Sequence, residues 1–343
     1  MFRQDRTNPS TAVSNWKGRK DTPKAWPSTA VSTWLNGGLF ATSAGGSVAG
    51  YIPGGYSGSM VSTVDKWAFP SDTRTTTTAL PAGKSAAACF ADSGVAGYHV
   101  GGYNTSWSRT NSTYKMAFPA DTWSTGTSYV AATNYNMGNQ NSGVAGYSSG
   151  AQVTGGAFAS NTIYRLGFPG DSWSTLSATL SQTYNANGGP MNNNGVACYQ
   201  AGGGYKSGGS TFTANQVQKL LVPSESATTT TVLSASNKYK GGCSNNAVAG
   251  YNFGGQSSGD VVEKYAFPSD SRSTVTATVS DAYGPGGFSD SGVAGYSAGG
   301  YMNGGSQTST VYKIDFSSDS ISTTNAMSTA VTYIAGFSDQ GVL

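Results

Sequence analysis

Along the chain, apolar positions do not sustain the 3.6-residue period of an amphipathic helix. Small or apolar residues alternate instead with β-branched Thr and Val in short runs, and Gly, Pro and Asn interrupt them. This pattern predicts short strands, close turns and almost no helix. The pattern also repeats. Val-Ala-Gly-Tyr begins at Val48, Val95, Val144, Val248 and Val293, and Val196-Ala197-Cys198-Tyr199 is a sixth version. The spacings are 47, 49, 52, 52 and 45 residues, and a further 49 lead to Val342, inside what would be a seventh copy. Each copy continues into a Gly-Gly doublet, from Gly54-Gly55 to Gly299-Gly300, and then a variable loop. A strand ending in an aromatic turn follows, as in Tyr114-Lys115-Met116-Ala117-Phe118-Pro119, and then an acidic turn and a Thr/Ser strand, as in Asp121-Thr122-Trp123-Ser124-Thr125.

Four strands in a unit of roughly 50 residues are what a propeller blade needs. The fold expected is all-β: a six-bladed propeller of four-stranded blades over residues 35–343, since closing a ring removes the sheet edges that a linear stack exposes. A β-helix would show shorter and more regular coils. Residues 1–34 stand outside the repeat and carry a doublet of their own, Pro9–Trp16 and Pro27–Trp34, which Ser328–Tyr333 echoes. The ring is therefore expected to close with strands from the N- and C-terminal ends. The spare basic part of residues 1–25 is either a docking arm for another subunit or a plain tail.

The Gly-Gly-Tyr after an apolar strand, followed by Tyr-Lys-x-x-Phe-Pro-x-Asp-x-Trp-Ser-Thr, resembles a degenerate kelch repeat, and the resemblance covers about nine tenths of the chain. The Trp of that pattern is present as Trp123 and Trp173, whereas Arg74, Ala227, Arg272 and Ile321 stand at the equivalent places. The Ser/Thr/Gly-rich style is also similar to kelch-like repeats in tail and fibre proteins of tailed bacteriophages. These resemblances imply a virion component and a role in assembly or attachment.

Composition narrows the functional classes. Charged residues are 10% of the 343, where about 25% is usual, and 48 are glycine. Such a surface meets water through hydroxyls and amides, as exterior and virion β-proteins do. A net charge of +3 is too small and dispersed to imply a nucleic-acid partner. Cys89, Cys198 and Cys243 form no CxxC pair, so neither a disulfide framework nor a zinc site is expected. The polar start leads into no apolar h-region and no stretch is long and apolar enough to span a bilayer, so neither a Sec-type signal nor membrane insertion is expected. His99 is the only histidine and the acids are dispersed, which argues against a metal or His-based catalyst and against a paired-carboxylate glycosidase. No cofactor is implied.

Three sets of residues carry the remaining expectations. Tyr51, Tyr98, Tyr147, Tyr199, Tyr251 and Tyr296 occupy one repeat position and read as inter-sheet packing with the hydroxyl on a backbone partner, rather than as a binding crown. Lys66, Lys115, Arg165, Lys219, Lys264 and Lys313 each precede an acid by six residues: Asp72, Asp121, Asp171, Glu225, Asp270 and Asp319. They are expected as repeated structural ion pairs, within a unit or with the next, rather than as a charged face. The variable loops after the doublets are candidate binding surfaces through Tyr103, Trp107, Tyr205, Lys206 and Tyr301, although such aromatics also pack on their own blades.

The function expected is a non-catalytic structural component of a tailed-phage virion (tail, fibre or exterior appendage) that contributes to assembly and host attachment. Its partners would be other virion proteins, in many copies, and a host surface glycan or protein. The alternatives are a cytosolic kelch-type adaptor and a glycan-active enzyme.

Overall fold

The computed structural model describes residues 48–341 apart from 155–158, 169, 187, 208–209 and 258. The expected arm and ring-closing segment, residues 1–34, lies outside these. Every helix or strand among the described residues is a strand, and the sheets take a propeller arrangement. Four are separate four-stranded antiparallel blades. One of these consists, from the axis outward, of Ala88–Asp92, Ala96–Val100, Thr113–Ala117 and Thr122–Thr125. Two more begin at Gly241–Asn245 and Gly286–Asp290.

The remaining blade is built from both ends of the described chain. Its inner strand, Phe337–Ser338, pairs with Ala49–Pro53, with Phe337 opposite Tyr51 and Ser338 opposite Gly50. The truncated seventh copy of the repeat thus supplies the missing first strand. Between residues 137 and 230 the strands, apart from Gln152–Val153, which pairs with Thr133–Asn134, form one eight-stranded sheet, because the 15-residue strand Ser172–Ala186 continues until Tyr184 and Ala186 pair with Tyr205 and Gly204.

Burial follows composition from the axis outward. Inner and second strands such as Ala88–Asp92 and Ala96–Val100 are buried at every position, as expected where neighbouring sheets cover both faces. Outer strands such as Thr73–Thr77 are largely exposed, and Thr hydroxyls meet water there without charge.

The glycine of Val-Ala-Gly-Tyr is explained by the neighbouring sheet. In five repeats one inner-strand residue lies against the glycine of the following repeat: Phe337 on Gly97, Phe90 on Gly146, Met191 on Gly250, Cys243 on Gly295 and Phe288 on Gly50. A Cβ at Gly97 would overlap the edge of the Phe337 ring. In the one copy with Cys198 instead, the corresponding inner residue is the smaller, polar Asn139, and the Cys198 thiol donates to Gln140 O at 3.5 Å. Core volume is thus balanced across each sheet-to-sheet contact.

The repeated Tyr, cation and acid form one tie. Tyr51 and Lys66 are direct cross-strand partners, as are Tyr98 and Lys115, Tyr147 and Arg165, Tyr199 and Lys219, Tyr251 and Lys264, and Tyr296 and Lys313. Direct opposition puts both side chains on one face of the sheet. Both then reach the acid of the following repeat. The cation–carboxylate distances are 2.6 Å for Lys66–Asp121, 2.5 Å for Lys115–Asp171, 2.7 Å for Arg165–Glu225, 2.6 Å for Lys219–Asp270, 2.7 Å for Lys264–Asp319 and 2.6 Å for Lys313–Asp72. The last pair joins the final repeat to the first.

The tyrosine hydroxyls donate to the same carboxylates, at 2.9 Å for Tyr51 to Asp121 and 2.6 Å for Tyr296 to Asp72. This corrects the expectation of a backbone partner: the acid comes within reach because its turn projects from the next sheet. All six acids hold the left-handed conformation, with φ between 47° and 55°, which Asp tolerates better than most residues. In five repeats the aromatic of that turn stacks on the same tyrosine, as Phe118 does on Tyr51 at 5.5 Å and Phe267 on Tyr199 at 5.1 Å. Opposite Tyr147 the place is held by Val222. Phe-Pro-x-Asp is therefore a two-pronged clamp on the preceding repeat.

Replacing Gly97 by Val is expected to cost about 3 kcal/mol in urea unfolding through overlap with Phe337. Combining it with Phe337→Ala is expected to cost less than the sum of the two single changes. Lys219→Met is expected to cost about 2 kcal/mol, between the values for exposed and buried pairs, because Asp270 loses its cation. Burial alone would raise the Asp270 pKa, but hydrogen bonds from Lys219, Tyr199 and Thr230 outweigh it and hold it below the usual value of 3.8. The tie's contribution is therefore present above about pH 4 and lost as pH falls through the lowered value, so wild type and Lys219→Met should converge in strong acid.

Candidate functional site

The edge of the ring from which the post-doublet loops emerge is covered by aromatic side chains. Tyr135, Tyr239 and Tyr333 form a triangle, with ring centroids 5.4, 5.5 and 5.6 Å apart. Each lies just before an inner strand in the left-handed conformation, with φ of 54°, 58° and 54°. A non-glycine residue held there carries strain that its surroundings must offset. Here neighbouring units bond across the mouth: Tyr135 N donates to Ala86 O, Ala86 N to Tyr333 O and Gly284 N to Tyr239 O, each at 2.7 Å. Burial, and then the neighbouring tyrosines, raises the Tyr239 pKa to about 12, so the cluster is uncharged across the physiological range.

Two arms extend from this triangle. One runs through Tyr103, 5.9 Å from Tyr135, to Trp107 at 5.5 Å and on to Tyr56 at 5.1 Å. The other runs through Tyr283, 6.1 Å from Tyr239, to Tyr301 at 5.2 Å. Three of the five loop residues proposed from sequence, Tyr103, Trp107 and Tyr301, thus belong to one continuous aromatic surface. Trp107 is 53% exposed. Arg109 supports the first arm from below, with Nε donating to Asn134 Oδ1 at 2.7 Å and a terminal nitrogen to Gln152 Oε1 at 3.0 Å.

Tyr205 is placed differently. Its segment is a hairpin, since Ala197–Ser207 pairs with Ser210–Leu221 as far as Ser207 opposite Ser210, and this corrects the expected loop. β-branched Thr211 and Thr213 around Phe212 favour the extended backbone. Tyr205 stacks on Phe212 at 5.5 Å, and among the described residues no ring contact joins it to the aromatic surface. Lys206 lies outside the residues whose side chains are described. The tyrosines at 135, 239 and 333 were missed in the sequence, although each stands three residues before a glycine: Gly138, Gly242 and Gly336. Those glycines are where adjacent inner strands meet. A Cβ on Gly336, for example, would lie 2.5 Å from Gly287 O.

Below the aromatic triangle the axis is nearly filled. A cavity of about 20 Å³, lined by residues including Asn136, Lys240 and Ile334, has room for about one water. This cavity is too small for an organic ligand. Lys240 is buried and donates to Gly254 O at 3.0 Å, and burial lowers its pKa to about 8. Lys84, also buried, donates to Thr110 Oγ1 at 2.5 Å and lies 5.6 Å over the Tyr114 ring. His99 is buried as well. Its Nδ1 has no hydrogen-bond partner among the described residues, and burial followed by the charge of Lys84 lowers its pKa to about 3. All three cysteines are buried free thiols. Among the described residues no group of three or more His, Cys, Asp or Glu is placed to hold a metal ion.

The opposite edge has a different character. Inner hairpin turns pass hydrogen bonds from repeat to repeat, as in Ser142 N to Asn194 Oδ1 at 2.7 Å and Asn194 N to Asn246 Oδ1 at 2.8 Å. Val95, Val144, Val196, Val248 and Val293 stand exposed there. At this edge Asp339 accepts from Ala49 N at 3.0 Å, and burial raises its pKa to about 6.

No protein-family model matches the chain, and no curated protein matches it. No helix among the described residues is long and apolar enough to cross a membrane.

The two perturbed groups predict opposite pH effects. Asp339 has a folded pKa above its unfolded value, so its contribution is present below about pH 4 and lost as pH rises through 6. Asp339→Asn keeps an oxygen for Ala49 N and is expected to stabilise the fold at pH 8 by up to about 3 kcal/mol, with no gain at pH 3.5. His99 has a lowered folded pKa, so wild type should lose stability as pH falls from about 6.5 towards 3, and His99→Phe should flatten that part of the curve. Urea midpoints across pH 3–8 test both.

Proposed function

We propose that this protein is a non-catalytic, multi-copy component of the exterior of a tailed-phage particle, contributing to assembly and to contact with the host surface. In this reading the molecule is a six-bladed kelch-like propeller, and the eight-stranded sheet is two blades fused where Tyr184–Ala186 meets Gly204–Tyr205. The observation that carries the contact role is the continuous aromatic surface from Tyr56 and Trp107 across the ring mouth to Tyr301. It combines large rings, amides and hydroxyls, with the Lys238 ammonium 5.4 Å over the Tyr239 ring, and a scaffold whose adjacent units are tied to one another. Binding surfaces are commonly built this way, from loop aromatics on a rigid frame.

Three further features support an exterior, assembled location. The composition is charge-poor and rich in hydroxyls. Most of the repeated charges are engaged in internal ties rather than displayed. The axis is nearly filled, which favours surface contact over enclosure of a small substrate. Display in many copies would let individually weak contacts add by multivalency. Mass spectrometry and immunogold labelling of density-purified tailed particles encoded by the same genome test the reading. Several copies per particle with label on the outside are expected, and absence of the chain from purified particles would overturn it.

A further inference from the structure

We infer that the ligand of the aromatic surface is an uncharged saccharide, and that Trp107 is the platform on which one of its rings stacks. The inference rests on the reading of this face as the contact surface. Trp107 is unlike the other tryptophans among the described residues, which are buried or half-buried. Trp67, Trp123 and Trp173 donate their indole N–H to Asn325 O, Thr78 O and Thr113 Oγ1, at 3.0, 3.0 and 3.2 Å. Among the described residues no acceptor meets the Trp107 indole, and more than half of the residue is exposed.

The loop holds it outward deliberately. Trp107 has a left-handed backbone, φ 57°, closed by its N–H on Asn104 O at 2.9 Å. Asn104 Oδ1 takes the amides of Ser106 and Ser108, both at 3.0 Å, and Asn104 N donates to Ser108 O at 3.0 Å. A strained, four-bonded loop that exposes the largest apolar side chain is a construction for binding.

The chemistry of the surroundings selects the ligand class. Tyr56 and Tyr103 meet Trp107 at interplanar angles of 58° and 63°, so they buttress the indole without stacking over it. One flat, partly apolar group can lie there. The rim is Asn104, Thr105, Ser106 and Ser108, which offers neutral donors and acceptors. A sugar ring has one C–H face and a margin of hydroxyls, and matches both features. A cationic ligand would favour aromatic faces closing on it from several sides. A protein partner would favour a larger dry patch, typically with Arg at its centre.

The test uses the full chain on immobilised dextran, mannan, galactan and β-glucan, with alginate as an anionic control, followed by calorimetry on any glycan retained. Binding to at least one neutral glycan is expected, weakened roughly tenfold or more by Trp107→Ala and less by Trp107→Phe, with melting temperatures unchanged. No binding to any neutral glycan, or equal binding by Trp107→Ala, would overturn the inference. Beads coated with the chain and applied to bacteria that the particles adsorb to separate this from failure of the contact-surface reading. Adhesion lost with Trp107→Ala and with periodate treatment of the cells supports the saccharide. Adhesion lost with Trp107→Ala and with protease, but not periodate, keeps the contact face and makes the ligand a protein. Adhesion indifferent to Trp107 removes the contact face itself.

Discussion

The structure depends on one recurrent interaction, a carboxylate projected from one repeat and held by the tyrosine and the cation of the repeat before it. Each component is placed by a separate local rule. Strand register sets Tyr199 opposite Lys219, and the left-handed turn aims Asp270 at both. Tyr199 Oη at 2.7 Å, Lys219 Nζ at 2.6 Å and Thr230 Oγ1 at 3.0 Å then satisfy that carboxylate. A partly buried anion with three donors is stable where an unpartnered one would be costly. Because the tie always joins adjacent repeats, and Lys313 returns to Asp72, it acts on the arrangement of sheets rather than on any single sheet.

Close approach of the sheets is the complementary constraint. Small inner residues let backbone meet backbone near the axis, and the glycine of each Val-Ala-Gly-Tyr receives a neighbour's side chain. These contacts leave little space near the axis, and aromatic side chains lie over the mouth. The covering is the tyrosine triangle, whose strained backbones are bonded from unit to unit around the rim. Rigidity thus comes from below and recognition chemistry sits above it, on loops free to vary between repeats.

Much of this was legible in the repeat. The recurring Gly-Tyr, the cation–acid spacing and the echo of the repeat at both ends point to strands, ion pairing and closure by terminal strands, without saying which end supplies the inner one. What the sequence could not supply was geometry across units. The six-residue spacing from Lys66 to Asp72 leaves open a pair within the unit or with the next, and Lys66 bonds Asp121 of the next, because a strand-end turn points at the preceding sheet rather than back on its own. The tyrosine triangle escaped for a related reason: Tyr135, Tyr239 and Tyr333 occur in alternate repeats, so a search for residues common to every copy passes over them. The hairpin carrying Tyr205 was hidden by its glycines, which read as a loop until pairing with Phe212 and Thr213 is seen.

The charge economy of the chain follows from the same arrangement. With 19 basic and 16 acidic residues in all, a large share of the charge is consumed in ties between repeats. The remaining surface is left largely to Thr, Ser, Asn and Gly, and the mouth to aromatic rings with few charges beside them, among them Lys238 over Tyr239. Such a face exerts little long-range pull on a partner, so encounter is not accelerated by steering and single contacts are short-lived. A molecule built in this way gains strength by number and by a fixed presentation of its loops rather than by field. The stiff ring supplies that presentation, and display of many rings on one particle would supply the number.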